Sequence, residues 1–315
     1  MRRLWLDCDP GLDDWLTLLM LATLPDADWV GTSVVAGNAP LAVTLDNALR
    51  IRHHYGLATP VYAGCAQALA GTVETAQRVL GAQGMRSTGA LLPAAPVRAD
   101  GDDAVAALLA ALRAGRLTLL AIGPLTNVAT ALQREPAAAQ QIDEIVLMGG
   151  STDRGNHTAA AEFNFYADPE AADAVFRSGV PVRMFGLNLC RQVLLERQHV
   201  AQVQQWPGPR AQWLAGYLDA YQRIRSSDGA VPMPVYDPVV AAWLHAPGLF
   251  RFSPAQVDIE LHGRFTRGMS VCNFKLGPGQ QPNAQVAQHA DGPAVLALLM
   301  QSLAQGCGAA PPTAR

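Results

Sequence analysis

The segment Asp7-Cys8-Asp9-Pro10-Gly11-Leu12-Asp13-Asp14 places four carboxylates within eight residues. The run Arg3 to Leu6 before it reads as a strand, and Asp13 to Leu24 after it reads as a helix. Side chains two apart in a strand share a face, so Asp7 and Asp9 point the same way and Cys8 the other. Pro10-Gly11 turns the chain, and Asp13 and Asp14 fall in the first helical turn, where the macrodipole favours negative charge. Carboxylates this close repel one another unless protons or a cation offset the charge. With no histidine or cysteine pair nearby, an all-oxygen donor set selects a hard divalent ion, Ca²⁺ or Mg²⁺, over zinc. The plainer alternative, solvated caps and turn formers, calls for one aspartate and not four.

The elements that must position this cluster alternate. Strands at Trp29 to Val35 and Pro60 to Tyr62 flank a helix at Leu41 to Tyr55. The pattern resumes with helix Asp103 to Arg113, strand Leu117 to Ile122, helix Leu125 to Gln133, strand Glu144 to Met148, helix Pro169 to Ser178 and strand Pro181 to Phe185. Such alternation predicts an α/β fold: a mostly parallel open sheet with helices on both faces. Ligands in such sheets sit at the carboxyl ends of the strands, where the aspartates lie. Two stretches read as walls of a pocket above that edge: the Gly/Ala-rich, aperiodic segment Gly64 to Asp100, and Glu196 to Ser227, helical but broken at Pro207-Gly208-Pro209. The last third carries helix Pro238 to His245, β-rich pieces at Val257 to Leu261, Gly268 to Phe274 and Ala284 to His289, and a closing helix Gly292 to Leu303. No linker or repeat divides the chain, so residues 1–308 are expected to form one domain, with 309–315 a frayed tail.

Composition excludes several functions. The 315 residues are 50% hydrophobic and 16% charged, with a net charge of −3 and scattered basic residues, so no stripe is available to neutralise a nucleic-acid backbone. Lys275 is the single lysine, and no GxxxxGK[ST] phosphate loop is present. The five cysteines are far apart and form no CxxC, which indicates neither a disulfide framework nor a zinc knuckle and fits a reducing cytoplasm. Trp15 to Leu24 is too short to span a bilayer and follows the aspartates, so a soluble protein without an export signal is expected.

Polar residues recur at later strand ends: Gly37-Asn38, Gly123-Pro124-Leu125-Thr126-Asn127, Met148-Gly149-Gly150, then Asn156, Glu162-Phe163-Asn164 and Tyr236-Asp237-Pro238. Singly each has a local explanation, such as a turn-forming asparagine or an N-cap Asp237 with Pro238 at N1. Together, and in order over most of the chain, these motifs resemble those of the inosine-uridine-preferring nucleoside hydrolases. The resemblance implies a Rossmann-like single domain, a tightly bound Ca²⁺, a ribonucleoside substrate and a homodimer or homotetramer.

Transferred position by position, the resemblance makes Asp9, Asp14, Asp237 and the backbone carbonyl of Ile122 the calcium ligands. Asp9 is then also the general base on a calcium-bound water, with Asn38 positioning that water or Asp13. Asp13 and Asn164 hold the ribose 2′- and 3′-hydroxyls, Asp237 also reaches the 3′ side, and Asn156 and Glu162 take the 5′-hydroxyl. Met148 lines the sugar pocket, and Asp7 supports the others from behind. The chemistry is consistent: an oxocarbenium-like transition state calls for anionic surroundings and an activated water on the face opposite the base.

The sequence departs from that family at the leaving group. Members active on inosine and uridine carry a histidine immediately before the late aspartate, and often another in the early loop. Here those places hold Tyr236 and Leu80. Three readings follow: Tyr236 donates the proton, or Arg225, Arg191 or Tyr221 stabilises charge on the departing base, or the substrate carries a better leaving group than hypoxanthine. Tyr236 as a stacking wall residue is the plainer alternative. His157, next to Asn156, reads first as a surface-loop histidine and second as one that swings into the pocket, Trp206 and Trp213 read as core packing, and Cys8 as a small buried filler.

Two other functions share parts of this pattern. A nucleoside- or ribose-binding protein could keep the metal and sugar contacts without the acid. An aspartate-nucleophile phosphatase also uses Asp-x-Asp after a first strand with Mg²⁺, but Pro10-Gly11-Leu12 does not supply its following Thr or Val.

Overall fold

In a computed structural model, which describes residues 1–309, the expected alternation forms one open sheet. The first half runs β1 (Arg2–Cys8), α1 (Leu12–Ala22), β2 (Ala27–Val34), α2 (Leu41–Tyr55), β3 (Val61–Ala63), α3 (Gln77–Leu80), α4 (Ala104–Arg113), β4 (Leu117–Ala121), α5 (Thr126–Arg134) and β5 (Ile142–Met148). It continues through α6 (Phe163–Ala167), α7 (Pro169–Phe176), β6 (Val182–Phe185), α8 (Leu187–Cys190), β7 (Leu194–Leu195), α9 (Arg197–Gln204), α10 (Pro209–Gln222), β8 (Met233–Pro234) and α11 (Pro238–His245). The chain closes with β9 (Phe250–Ile259), β10 (Ser270–Asn273), β11 (Ala284–Ala290) and α12 (Gly292–Cys307). Residues 310–315, most of the expected tail, lie outside the described residues.

The nine strands lie in the order β10-β9-β11-β6-β5-β4-β1-β2-β3, and β7 pairs separately with β8. From β3 to β11 neighbouring strands are parallel; β9 and β10 run antiparallel at the far edge. The portion β3-β2-β1-β4-β5-β6 is the doubly wound, Rossmann-like order, so the chain changes direction of travel between β1 and β4. The ends of those two strands, carrying Asp9 and Ile122, border the crevice where such sheets bind ligands.

Burial explains the strand sequences. Leu4 to Cys8 and all of β4 are buried, as a central parallel strand covered on both faces requires. Leu4, Leu6 and Cys8 face one core with residues of α1, α2, α10, α11 and α12; Trp5 faces the other with residues of α4, α5 and α7. The expected division, with Cys8 opposite the aspartates, is therefore present. Trp15 pins α1 to the first core, fully buried with Tyr55 and Tyr217 edge-on at 5.4 and 5.3 Å. Truncating such a residue costs about 3–5 kcal/mol. Trp206 and Trp213 pack against the same core, as expected.

The largest difference from the expected elements is β9, which starts at Phe250 and not at Val257; the others are short. Sequence periodicity carries no signal for α6 or α8, of five and four residues, or for the two-residue β7 and β8. In the aperiodic stretch Gly64 to Asp100 only α3 is helical, yet the chain is tied down: Asn47 Nδ2 donates to Gln83 O at 2.9 Å, and the Leu92 N–H donates to Tyr217 Oη at 3.2 Å.

Candidate active site

The four aspartates are placed by the β1–α1 junction. Asp13 and Asp14 stand in the first turn of α1, and the Asp14 carboxylate accepts the N–H groups of Asp9 at 3.1 Å and Gly11 at 2.9 Å. The helix thus satisfies orphan amides with its own acidic residue while its dipole faces that charge. Asn38, at the end of β2, donates its backbone N–H to Asp9 Oδ2 at 2.7 Å. Its Nδ2 donates to the Asp9 carbonyl at 2.9 Å and to Asp14 Oδ2 at 3.1 Å. Two glycines make room for Asp9: a Cβ on Gly37 would stand 2.2 Å from Asp9 Oδ2, and one on Gly123 would stand 2.6 Å from Oδ1.

The fourth wall comes from far along the chain. Asp237 is the N-cap residue of α11 and Pro238 occupies N1, as the sequence suggested, but the Asp237 side chain makes no capping bond. It lines a cavity of about 450 Å³ instead, together with Asp9, Asp13 and Asn38. Carboxylate oxygens of Asp13, Asp14 and Asp237 lie within 4.8 Å of one another. Asp9 lines the cavity with Asp13 and Asp237, while Asp14 does not, its oxygens taken up by the three donors above. Among the described residues no donor reaches the Asp237 carboxylate. Asp7 is behind the site: it accepts from Asn127 Nδ2 at 2.8 Å and from Ser33 Oγ, and its Oδ2 is buried without a partner.

Electrostatics follow from this crowding. Burial, and after it the Asp13 carboxylate, pushes Asp14 up to about 7, and burial raises Asp13 to about 6. Asp9 and Asp237 are driven well above the ordinary carboxylate range, first by burial and then by Asp14 and Asp13 respectively. Such a constellation holds protons or a cation.

The sugar-side candidates gather on the opposite wall. Asn164 Nδ2 donates to the carbonyls of Ile122 and Met148, each at 3.0 Å, which fixes the ends of β4 and β5 to α6. Glu162 is the N-cap of α6; its carboxylate accepts from Gly150 at 2.9 Å, Asn164 at 2.8 Å and Phe165 at 3.2 Å, and burial raises it to about 7. Asn156 Oδ1 accepts the Phe163 N–H at 3.0 Å. Ile122, Met148, Asn156, Glu162 and Asn164 all line the same cavity.

Tyr236, Tyr221, Arg225 and Leu80 also line it, whereas Arg191 is committed elsewhere, donating to Asp153 Oδ1 at 2.6 Å and to the Arg154 carbonyl at 2.9 Å. Burial pushes the Tyr236 phenol up, with Cys190 and Asp13 adding to it and Arg225 opposing. Tyr221 donates to the Pro234 carbonyl at 2.9 Å.

Several pocket residues escaped the sequence reading, among them Glu74, Arg78, Val79, Ile224 and Met233, and His157 is placed differently from its first reading. His157 is not a surface-loop residue: it lines the cavity, its ring 4.4 Å from that of Tyr166 and 5.5 Å from that of Phe163. Its Nε2 lies 3.8 Å from Glu74 Oε1, and Glu74 belongs to the aperiodic stretch read as a wall. No local pattern marks either residue; the placement of that stretch over the strand ends was the available signal.

Comparison with known proteins identifies the family. The family model described as inosine-uridine preferring nucleoside hydrolase matches residues 4–297. The chain is 36% identical over 307 residues to the pyrimidine-specific ribonucleoside hydrolase RihA of Shewanella woodyi, covering 96% of this chain and 98% of that one. It is 34% identical to the pyrimidine-specific ribonucleoside hydrolase RihB of Shigella sonnei, covering 90% and 91%. The solved structure of the purine-preferring ribonucleoside hydrolase from Gardnerella vaginalis superposes with a TM-score of 0.89 at 29% identity, over 97% of this chain and 99% of that chain. This sets aside the phosphatase and the non-catalytic binder: the chain belongs to the inosine-uridine preferring nucleoside hydrolase family, enzymes acting on N-glycosyl bonds.

Proposed function

We propose that this protein hydrolyses the N-glycosidic bond of ribonucleosides in a Ca²⁺-dependent reaction with an altered leaving-group site. The observation that carries the reading is the trio of half-buried Asp13 with buried Asp14 and Asp237, within 4.8 Å of one another at the edge of a cavity beside the ends of β1 and β4. The donor set is all oxygen and the cavity-facing Asp237 carboxylate has no protein donor, which suits a hard divalent ion and not a softer one. Asp9, Asp14, Asp237 and the Ile122 carbonyl would hold that ion. A bound Ca²⁺ offsets the carboxylates' mutual repulsion and makes a neighbouring water easier to deprotonate.

The chain's own residues do the rest. Asp9, seated between Gly37 and Gly123 and fixed by the Asn38 N–H, accepts the proton of the attacking water. Asp13 and Asn164 hold the 2′- and 3′-hydroxyls, Asp237 reaches the 3′ side, and Asn156 and Glu162 face the 5′-hydroxyl, with Met148 against the ring. The water oxygen bonds to C1′ as the C1′–N bond breaks, and the bonding pair leaves with the base. The anionic walls favour positive charge developing on the sugar. Tyr236 supplies the proton that the base takes up. A site built around these hydroxyls prefers ribosides to deoxyribosides, because a missing hydroxyl leaves buried polar groups unpaired.

The named relatives are pyrimidine-specific and the solved neighbour purine-preferring, so both classes of base belong in the assay. Inosine, uridine and cytidine are incubated with the Ca²⁺-loaded protein, and free base is separated by chromatography. Release of base from at least one, reduced about 10²–10⁴-fold by Asp9→Asn with the fold intact, supports the assignment. Equal rates for wild type and Asp9→Asn refute Asp9 as the base. The same reading keeps a homodimer or homotetramer and a cytoplasmic location. The free state of Cys8, Cys65, Cys190, Cys272 and Cys307 supports the latter, and among the described residues no helix is long and apolar enough to cross a membrane.

A further inference from the structure

One polar pair in the cavity is used by none of these roles. Glu74, from the segment between β3 and α3, and His157, from the segment between β5 and α6, meet across the pocket wall with Nε2 and Oε1 3.8 Å apart. Residues 83 positions apart in sequence are brought together there by no secondary structure. The His157 ring is held against Tyr166 at 4.4 Å and Phe163 at 5.5 Å, which limits the orientations it can take.

The neighbouring groups are largely spent. Asn156 Oδ1 is taken by the Phe163 N–H, and the Glu162 carboxylate already accepts three backbone N–H groups. What remains for a polar group beside Asn156 and Glu162 is the Asn156 amide nitrogen, residual capacity on Glu162, and the His157 imidazole, with Arg78 and Thr75 on the same wall as Glu74. An imidazole nitrogen can donate to or accept from a hydroxyl, and a carboxylate beside the ring settles its orientation and tautomer.

We propose that His157 is a specificity-determining contact for the free 5′-hydroxyl of the substrate, and that Glu74 is the positioning residue that orients its ring. This rests on the functional reading above, which puts the 5′ end of the ribose beside Asn156 and Glu162. A substrate lacking that hydroxyl leaves the imidazole unpaired in a half-buried wall, and discrimination against it follows.

The test pairs enzyme and substrate changes. p-Nitrophenyl ribofuranoside and its 5-deoxy analogue are compared on wild type, His157→Ala, His157→Gln and Glu74→Gln, since nitrophenolate leaves without a proton and isolates the sugar contacts. His157→Ala is expected to lower kcat/KM on the 5-hydroxy substrate by about 10–100-fold and to leave the 5-deoxy substrate within about twofold. His157→Gln, which keeps a donor and an acceptor, recovers part of the loss. Glu74→Gln raises KM on the 5-hydroxy substrate alone, with kcat unchanged. An equal loss on both substrates overturns the proposal and makes the pair a structural strap. Should the wild type hydrolyse no riboside, the functional reading fails by itself. Calorimetric binding of D-ribose against 5-deoxyribose then tests His157 separately, preference for ribose disappearing in His157→Ala if the proposal holds and persisting if it does not.

Discussion

Asp14 Oδ1 accepts the backbone N–H of Asp9 at 3.1 Å, so the first turn of α1 holds the residue that follows the first strand. Asn38 Nδ2 completes the link, bonding the Asp9 carbonyl and Asp14 Oδ2 at once. The consequence is a rigid carboxylate edge whose geometry is set by backbone bonds before any ligand arrives. Rigidity keeps like charges together, and the cost of doing so is what a bound cation relieves.

That relief is measurable as stability. Thermal melts at pH 7 with rising Ca²⁺ should show an increasing Tm, reaching about 2.7 kcal/mol of stabilisation at a hundredfold excess over Kd. Asp237→Asn should shift in the opposite sense when metal-free, melting higher than metal-free wild type because one like charge is gone, and should respond less to Ca²⁺. A wild type that melts identically with chelator and with Ca²⁺ contradicts the metal assignment.

Gly37 is a spatial requirement of Asp9, the proposed base. A Cβ there would meet Asp9 Oδ2 at 2.2 Å, so Gly37→Ala should displace that carboxylate and lower turnover by about 10²-fold, with a modest loss of Tm. The check is kcat alongside a melt. Unchanged kcat would mean that Asp9 is not held where the chemistry needs it.

Tyr236 is separable from the sugar machinery by leaving group. Tyr236→Phe should reduce hydrolysis of the preferred natural ribonucleoside by about 10²-fold and leave p-nitrophenyl riboside within about twofold, since only the former base needs a proton. Equal rates on the natural substrate would assign the tyrosine to stacking and turn attention to Arg225 and Tyr221, which line the same cavity.

Asp219 supplies the pH dependence of the wall. Despite a burial penalty, hydrogen bonds from Arg223, Arg197 and Thr88 hold its carboxyl down at about 2, tying α9, α10 and the segment containing Thr88 together. A folded value below the ordinary carboxylate value of about 3.9 stabilises the fold fully above that value and ceases to do so as pH falls through 2. The Arg197 and Arg223 side chains are 46% and 39% exposed, so solvent screening limits the contribution to about 1 kcal/mol. Asp219→Asn should therefore lower Tm at pH 7, and the gap to wild type should narrow between pH 4 and pH 2. A gap independent of pH would place the effect in packing.

Much of this was readable from residue patterns because the fold and the carboxylate edge obey short-range rules. Alternation between periods of about two and 3.6 residues separated β1, α1, β2 and α2, and Pro10-Gly11 with Asp13-Asp14 marked the turn and helix start between them. Asp237 with Pro238 was legible as a helix start, but its side chain's release from capping was not, because the packing of α11 on α1 that sets it beside Asp13 and Asp14 joins residues more than 200 positions apart. The same holds for Glu74 and His157: each is unremarkable locally, and only the sheet order, which lays both segments over the ends of the central strands, joins them. Elements of two to five residues such as β7, β8, α6 and α8 are decided by tertiary packing and carry no period to read.

On the proposed function, the aspartate edge holds a divalent cation whose presence the sugar chemistry requires. Reducing-sugar release from ribonucleosides should be measured on the purified protein as isolated, after exhaustive chelation, and after Ca²⁺ is restored. Ribose is expected to appear in the first state, to fall to background in the second and to return in the third. Ribose release that survives chelation undiminished, in protein shown by elemental analysis to be free of divalent metal, would contradict it.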